Sequence, residues 1–472
     1  MDSKLAGTLF SELKTRLPSN NSSEMLSLIR EKMARIDRTM VVLDDDPTGT
    51  QTVYDVPVIS DWKVETLEAE FRNQTPLVFI LTNSRSFPSD QACQIGTEVG
   101  QAILKASQIT GRNFEIVSRS DSTLRGHFPA EVDAVAEAVG GSDLPRILIP
   151  FFLEGNRVTI QDTHFVVDNG LMVPASETPF AKDSSFGYQS SNLKDWVEEK
   201  TNQQISRDDV FSISIEEIRS SDRRVYEKLT KLPPRSVCIV NCVEISDLQS
   251  FVDQLLDASQ SGCSFVYRTA ASFVQVRAGL GSRPLLTREE IVGNRKGAGV
   301  IVVGSYVPKT TRQLTYLREH KSELEVIELD VPRLLDDDLY KSEVEAGIKK
   351  LNAAVQNNRD ALVFTSREFV GSGSAKSDLA NGKKVSDVLV RIVQSIQTEP
   401  AFVIAKGGIT SSDVATKALG FKRAQVLGQI LPGVPCWQMD GSSKYPGLGY
   451  VVFPGNVGDD SALLDAYQKL KS

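Results

Sequence analysis

Short apolar runs alternate along this chain with longer segments whose apolar residues recur at helical spacing. "TMVVLD", "LVFILT", "FEIVS" and "RILIP" read as buried strands, with "DQACQIGTEVGQAILKAS" and "FPAEVDAVAEAVG" as helices among them. Strand and helix in alternation predict a largely parallel sheet. "SVCIVNC", a helix near Asp247 to Ala258 and "CSFVYRT" continue the series. Gly, Pro and charged residues then crowd residues 279–298 with little periodicity, which predicts a linker. A second series follows: "GVIVVGS", a helix from Lys309 to about His320, "ALVFTS", a helix through "VSDVLVRIVQSI", "AFVIAKGG", and a final helix from about Asp459. The expected class is α/β, with two α/β domains, mostly parallel sheets and an interdomain cleft. The division it predicts is a helical leader at 1–38, a first domain at 39–278, the linker, and a second domain at 299–472.

Length supports two cores, since 472 residues exceed what one usually fills. A net charge of −8 argues against nucleic acid or an anionic membrane as the main partner, while leaving room for a basic pocket that takes an anionic small molecule. No run reaches transmembrane length and the N-terminus lacks a signal-peptide core, so a cytoplasmic location is expected. Five scattered cysteines fit reduced thiols better than a disulfide framework or a zinc site.

Candidate chemistry collects where strands give way to loops. "VVLDDDPTGTQ" ends a strand in Asp44, Asp45 and Asp46, at the carboxyl edge where open α/β sheets bind ligands. "SRSDSTLRGHFPAEV" brings Arg119, Ser120, Asp121, Ser122, Thr123 and Arg125 to the same edge, and "TNSRS" adds Ser84 and Arg85. Two arginines among hydroxyls and one carboxylate can bind a carboxylate or a phosphate while accepting from sugar hydroxyls, with an Asp121–Arg125 ion-paired turn as the competing reading. His127, beside Arg125, is placed to touch ligand, whereas His320 falls late on a helix as a surface residue; no Ser-His-Asp or Cys-His set is visible from spacing. In the second half, Lys406-Gly407-Gly408 leads from a strand into a helix opened by Thr410, and Gly304, Ser305 and Gly455 stand at further strand ends. Such glycine loops let backbone amides approach phosphates. "GSGSAKS", residues 371–377, lacks the glycines of a phosphate loop and reads as a flexible polar loop.

"LDDDPT" also matches the D-x-D-x-T of haloacid-dehalogenase-like phosphatases, with Asp44 as nucleophile and Asp46 as acid/base, but no lysine and acidic pair close the same domain. A nucleotide-binding regulatory module without turnover is a third reading.

Taken together, "LDDDPTGTQ", "SRSDSTLRGHF", "IPFFLEGNRVTIQDTHF", "VVGSYVPKTTRQL", "AKGGITSSDVA" and "YPGLGYVVFPGNVGDD" stand in the order found in the four-carbon acid sugar kinases, which the chain resembles from residue 38 onward. The resemblance implies an ATP-dependent kinase acting on the terminal hydroxyl of threonate, erythronate, 3-oxo-tetronate or 3-oxo-isoapionate in carbohydrate catabolism. The first domain would bind the acid sugar and the second ATP. By motif, Asp45 and Asp46 match the acidic pair, Arg85 the Ser-Arg arginine, and Arg119 to Ser122 the third substrate loop. Ser305, Gly407, Gly408, Ile409, Thr410 and Gly455 match the nucleotide contacts. Asp44, Pro47, Arg119 and Ile409 depart from the residues more usual there, which bears on substrate identity.

Phosphoryl transfer asks for a positioned hydroxyl, a carboxylate to take its proton, and positive charge on the phosphates. Asp45, Asp46 and Asp121 are the candidate bases, with the choice among them open. Arg85, Arg119 and Arg125 would neutralise the substrate carboxylate, and Mg²⁺ would bridge ATP oxygens through ligands the sequence does not identify. The expected partners are a small acid sugar and ATP, with a homodimer compatible.

Overall fold

A computed structural model describes residues 5–19, 24–220, 222–367 and 375–471. Two units emerge: residues up to Val53 with Asp61–Ser282, and Tyr54–Ser60 with Arg283 onward.

In the first unit the apolar runs become β1 (Arg38–Asp44), β2 (Leu77–Leu81), β3 (Asn113–Arg119), β4 (Arg146–Ile149), β5 (Phe211–Ile213), β6 (Val237–Val240) and β7 (Val266–Thr269). They form a parallel sheet in the order β2-β1-β3-β7-β4-β6-β5. Continuous apolar strands suit a parallel sheet covered on both faces. The carboxyl ends are aligned: Asp44 pairs with Leu81 and Arg119, and Thr269 with Arg119 and Ile149. The chain passes from β1 to β2 on one side and then to β3 on the other, so the strand order reverses between β1 and β3. Ligands of open α/β sheets bind at such a reversal.

The leader packs onto this unit. Its helix Met25–Ala34 buries Ile29, and Lys32 pairs with Asp253 at 2.6 Å and Asp257 at 2.7 Å. A three-stranded antiparallel sheet, Arg157–Ile160, Thr163–Asp168 and Leu171–Pro174, adds what the sequence reading did not include. Its tight turns place Gln161-Asp162 and Asn169-Gly170 at positive φ, the geometry of two-residue hairpins.

The second unit contains β8 (Gly299–Val303), β9 (Glu325–Leu329), β10 (Ala361–Thr365), β11 (Phe402–Lys406), β12 (Arg423–Leu431), β13 (Val434–Met439) and β14 (Gly449–Phe453). Its order is β9-β10-β8-β11-β14-β13-β12, then Val56–Ile59. The first five are parallel and the rest antiparallel. Here the order reverses between β8 and β11.

Two segments differ from the contiguous division. Val56–Ile59 pairs with β12, Ile59 opposite Arg423, which groups Tyr54–Ser60 with the second unit. Residues 283–298, expected as linker, carry the helix Arg288–Ile291 with a Thr287/Glu290 capping box, and Leu286, Ile291 and Val292 enter the second unit's core. Their apolar residues are too few to show a period, and Leu285 is exposed while Leu286, Ile291 and Val292 are buried. Of the 371–377 loop, residues 371–374 lie outside the described residues; the helix Ala375–Gln394 begins directly after them. No helix among the described residues is long and apolar enough to cross a membrane.

Candidate functional site

The three aspartates leave β1 into different surroundings. Asp44, 1% exposed, lies 3.3 Å from Arg119 Nη1, and its carboxylate is pressed against Gly49 of the following 3-10 turn, Pro47–Thr52. A Cβ at residue 49 would fall 2.0 Å from both Asp44 oxygens, so only glycine lets the turn close over this side chain. Burial pushes Asp44 up to about 8, against the pull of Arg119. Asp45, 2% exposed, has neither oxygen hydrogen-bonded among the described residues, and Arg85 Nη1 is 3.8 Å away. Burial raises its proton affinity, opposed by Arg85 and then Arg119. Asp46 caps the turn, accepting from the Thr48 amide at 2.8 Å and the Thr48 hydroxyl at 2.6 Å, and pairs closely with Arg85 Nη2. Burial works to raise it, but Arg85 and the Thr48 contacts outweigh that and hold it below the ordinary range.

The loop after β3 supplies the fourth carboxylate. Asp121 accepts from Arg125 Nε at 2.8 Å and from the Thr123 hydroxyl, with Arg85 Nη1 at 3.5 Å. Burial is again overcome, here by Arg125 and Arg85, so Asp121 stays ionised. The Asp121–Arg125 pair read from the sequence as the plainer alternative is therefore present. Arg125 also reaches Asp183 at 3.5 Å and lies over the Phe180 ring. Arg85 stands among Asp45, Asp46 and Asp121. Arg119, 4% exposed, keeps Nε unpartnered. Ser120 and Ser122 are buried beside them; the Ser120 amide donates to Thr269 at 2.9 Å.

Four groups here were not singled out from the sequence. Arg268, the penultimate residue of β7, is 1% exposed, with Nε and Nη1 unpartnered. Glu131, in the first turn of the helix Ala130–Ala138, accepts from Ser84 Oγ at 2.6 Å, and burial, reinforced by Asp45, pushes it up to about 7. His164 is buried; its Nε2 donates to the Ser122 carbonyl at 2.8 Å, so Nδ1 accepts from the Thr159 hydroxyl at 2.9 Å. Burial pulls its pKa down to about 4, and the neutral ring braces the Asp121 loop. Arg157 lies over Phe180 with Nε unpartnered. His127, expected at ligand, shares a hydrogen bond with the Phe87 carbonyl at 3.0 Å and packs edge-on to Phe186; His320 is exposed and bonds to the Tyr316 carbonyl. A charged residue ending an apolar strand is the one local signal for Arg268; nothing local marks Glu131.

The second unit gathers its predicted residues at the β8/β11 reversal. Val303 pairs with Lys406, and Lys406 with Phe453, so the Gly304-Ser305, Gly407 and Gly455 loops leave one edge. Gly407 adopts φ +117°, and a Cβ there would come 2.9 Å from that of Ser305. Thr310 Oγ1 donates to the Gly455 carbonyl at 3.0 Å. The helix Gly408–Asp413 opens beside them, with Thr410 buried and Ile409 57% exposed. Lys406 Nζ donates to the Pro454 carbonyl at 2.7 Å, and burial pulls its pKa down to about 6. Arg367 donates to the Ser305 carbonyl, and its Nε and Nη2 have no hydrogen-bond partner among the described residues. Glycine backbones, a helix start and the Arg367 guanidinium, with the Lys406 amine beside them held toward its neutral form by burial, are a donor set for phosphates.

Fold and sites define a two-domain α/β protein with one polar site at the strand reversal of each sheet. Residues 40–277 match the family of sugar-binding N-terminal domains, and residues 300–463 that of nucleotide-binding C-terminal domains. The chain belongs to the four-carbon acid sugar kinase family, also grouped as DUF1537. Two solved structures share the fold. Protein HI1011 of Haemophilus influenzae is 17% identical with a TM-score of 0.62, covering 91% of this chain and 100% of its own. A Salmonella typhimurium LT2 protein, provisionally called a tRNA synthase, is 18% identical with a TM-score of 0.64, covering 92% and 100%. No curated protein sequence matches the chain.

Proposed function

We propose that the protein is an ATP-dependent kinase that phosphorylates the terminal hydroxyl of a four-carbon or related branched acid sugar, such as threonate, erythronate, 3-oxo-tetronate or 3-oxo-isoapionate, in the cytoplasm. The observation that carries this reading is the division of chemistry between the units. Carboxylates and arginines crowd the strand reversal of the sugar-binding domain, and a glycine-lined cationic edge occupies that of the nucleotide-binding domain.

Asp45 suits the base. Its oxygens are free to accept from a hydroxyl, and burial raises its affinity for the proton that hydroxyl must lose. Asp46 and Asp121 are held ionised by Arg85, Thr48 and Arg125 and serve as fixed acceptors that orient the polyol. Arg119 Nε, Ser120 and Ser122 complete the substrate contacts, with Arg85 and Arg125 setting the charge of the carboxylates around them. Ser305, Gly407, Gly408, Ile409, Thr410 and Gly455 would hold the nucleotide, with Lys406 and Arg367 near its phosphates. ATP would supply the phosphoryl group, and a Mg²⁺ bound with it would supply positive charge to its phosphates. Among the described residues no group of three or more His, Cys, Asp or Glu side chains is arranged to hold an ion.

The phosphatase alternative asks Asp44 to attack phosphorus, but that carboxylate is buried against Gly49 and paired with Arg119. ADP release from ATP, screened against four-carbon and branched five-carbon acid sugars, tests the proposal. ADP formed only with an acid sugar supports it; nucleotide binding without turnover on any of them leaves a regulatory module.

A further inference from the structure

We propose that Arg268 is the anchor for the substrate's carboxylate and sets the preference for acid sugars over neutral ones. This rests on the reading of the first domain as the acid-sugar site and names the residue that reads the acid.

The arginines around the site differ in what they already hold. Arg85 is shared among Asp45, Asp46 and Asp121, Arg125 is taken by Asp121 and Asp183, and Arg119 already faces the Asp44 carboxylate. Arg268 has no ion pair among the described residues. Its Nη2 donates to the Arg125 carbonyl at 3.0 Å, its guanidinium carbon lies 5.7 Å from the Trp196 ring centre, and Nε and Nη1 are buried without an acceptor. A buried guanidinium with two idle donors is costly unless something bearing negative charge completes it. Arg157 also lacks a carboxylate partner, but it is only partly buried and turns Nη1 to the Gly155 carbonyl.

Position strengthens the case. In the sheet Arg268 stands opposite Ser118, one residue before Arg119, and the charges acting on it are chiefly Asp121, Asp45, Arg119 and Arg85. It therefore shares the strand-end cluster with Asp45, whose two oxygens lack donors as Arg268's two nitrogens lack acceptors. The two are not an ion pair with each other. A ligand with a carboxylate at one end and hydroxyls along its chain satisfies both sets, the carboxylate taking a charge-assisted hydrogen bond from an idle Arg268 nitrogen.

The test is calorimetric binding of L-threonate and D-erythronate and of their amides, which keep the shape and lose the charge. Wild type should bind an acid more tightly than its amide, and R268Q should lose about tenfold to a hundredfold in affinity for the acid while binding the amide as before. Should R268Q fail to fold, R268K keeps the charge but not the planar guanidinium donors, and its acid-to-amide ratio should fall between one and the wild-type value. A folded R268Q or R268K with the wild-type ratio overturns the inference, as does a wild type that binds none of the acids or does not prefer acid to amide. Preference for acid without ATP turnover would sustain Arg268's role and defeat the kinase reading.

Discussion

The Arg119 guanidinium stands 3.3 Å from the Asp44 carboxylate, with both side chains buried. The pair closes the base of the site: Arg119 ends β3, Asp44 ends β1, and the two are directly opposite in the sheet. In the proposed reaction Asp44 is structural, and Asp45, one residue on, serves as the base.

Asparagine at residue 44 mimics the protonated acid that burial favours up to about 8. D44N should keep ATP-dependent turnover within about tenfold of wild type, whereas D45N should lower kcat by about a hundredfold or more, the usual contribution of a general base. Steady-state kinetics of the two variants checks this. A dead D44N enzyme together with inhibition of the wild type by beryllofluoride would return the phosphatase reading.

Arg85 balances three carboxylates at once. R85M should therefore destabilise the first domain by about 3–5 kcal/mol, the cost of leaving buried charge unpaired, with R85K between it and wild type. Urea denaturation reads this, and an unchanged midpoint would contradict the role.

Glu131 ties stability to pH. Folding raises it from the ordinary 4.5 to about 7, so between those values the folded state holds more protons than the unfolded chain. Stability from this group is full below 4.5, declines as pH rises, and levels off above about 7, a loss of about 3 kcal/mol at most. E131Q should remove that slope and melt higher than wild type at alkaline pH. A melting series across this range decides it.

Gly407 needs its positive φ, and any side chain there meets Ser305. G407A should raise the KM for ATP by about tenfold or more, the loss of one or two good hydrogen bonds to phosphate, with acid-sugar affinity measured by calorimetry unchanged. Parallel loss of both affinities would mean general misfolding instead.

Most parallel strands, the long helices Ser89–Thr110, Ile245–Gln260 and Ala375–Gln394, and both carboxyl edges were legible because apolar runs and their punctuation are local signals, whereas the strand Glu325–Leu329 and the helix Asp337–Gln356 were not read. The Asp44–Asp46, Arg119–Arg125 and Gly407–Thr410 clusters could be found as charges or glycines at strand ends. Arg268 was not, since "FVYRT" reads as strand alone, and its isolation depends on Trp196, far away in the chain. Glu131 looks like an ordinary acid in a helix's first turn until Ser84 and Asp45 close over it. Asn169-Gly170 was a readable hairpin signal passed over, whereas the pairing of Val56–Ile59 with β12 joins residues too distant for any local pattern.

In the proposed reaction the phosphoryl group passes directly between two bound small molecules. A single turnover with ATP labelled in its γ-phosphate, followed by tracing the label, tests this. Label should appear on the acid sugar, be absent there when the sugar is omitted, and never appear on the protein. Label on an aspartate of the protein, or released as inorganic phosphate at the same rate with and without acid sugar, would contradict it.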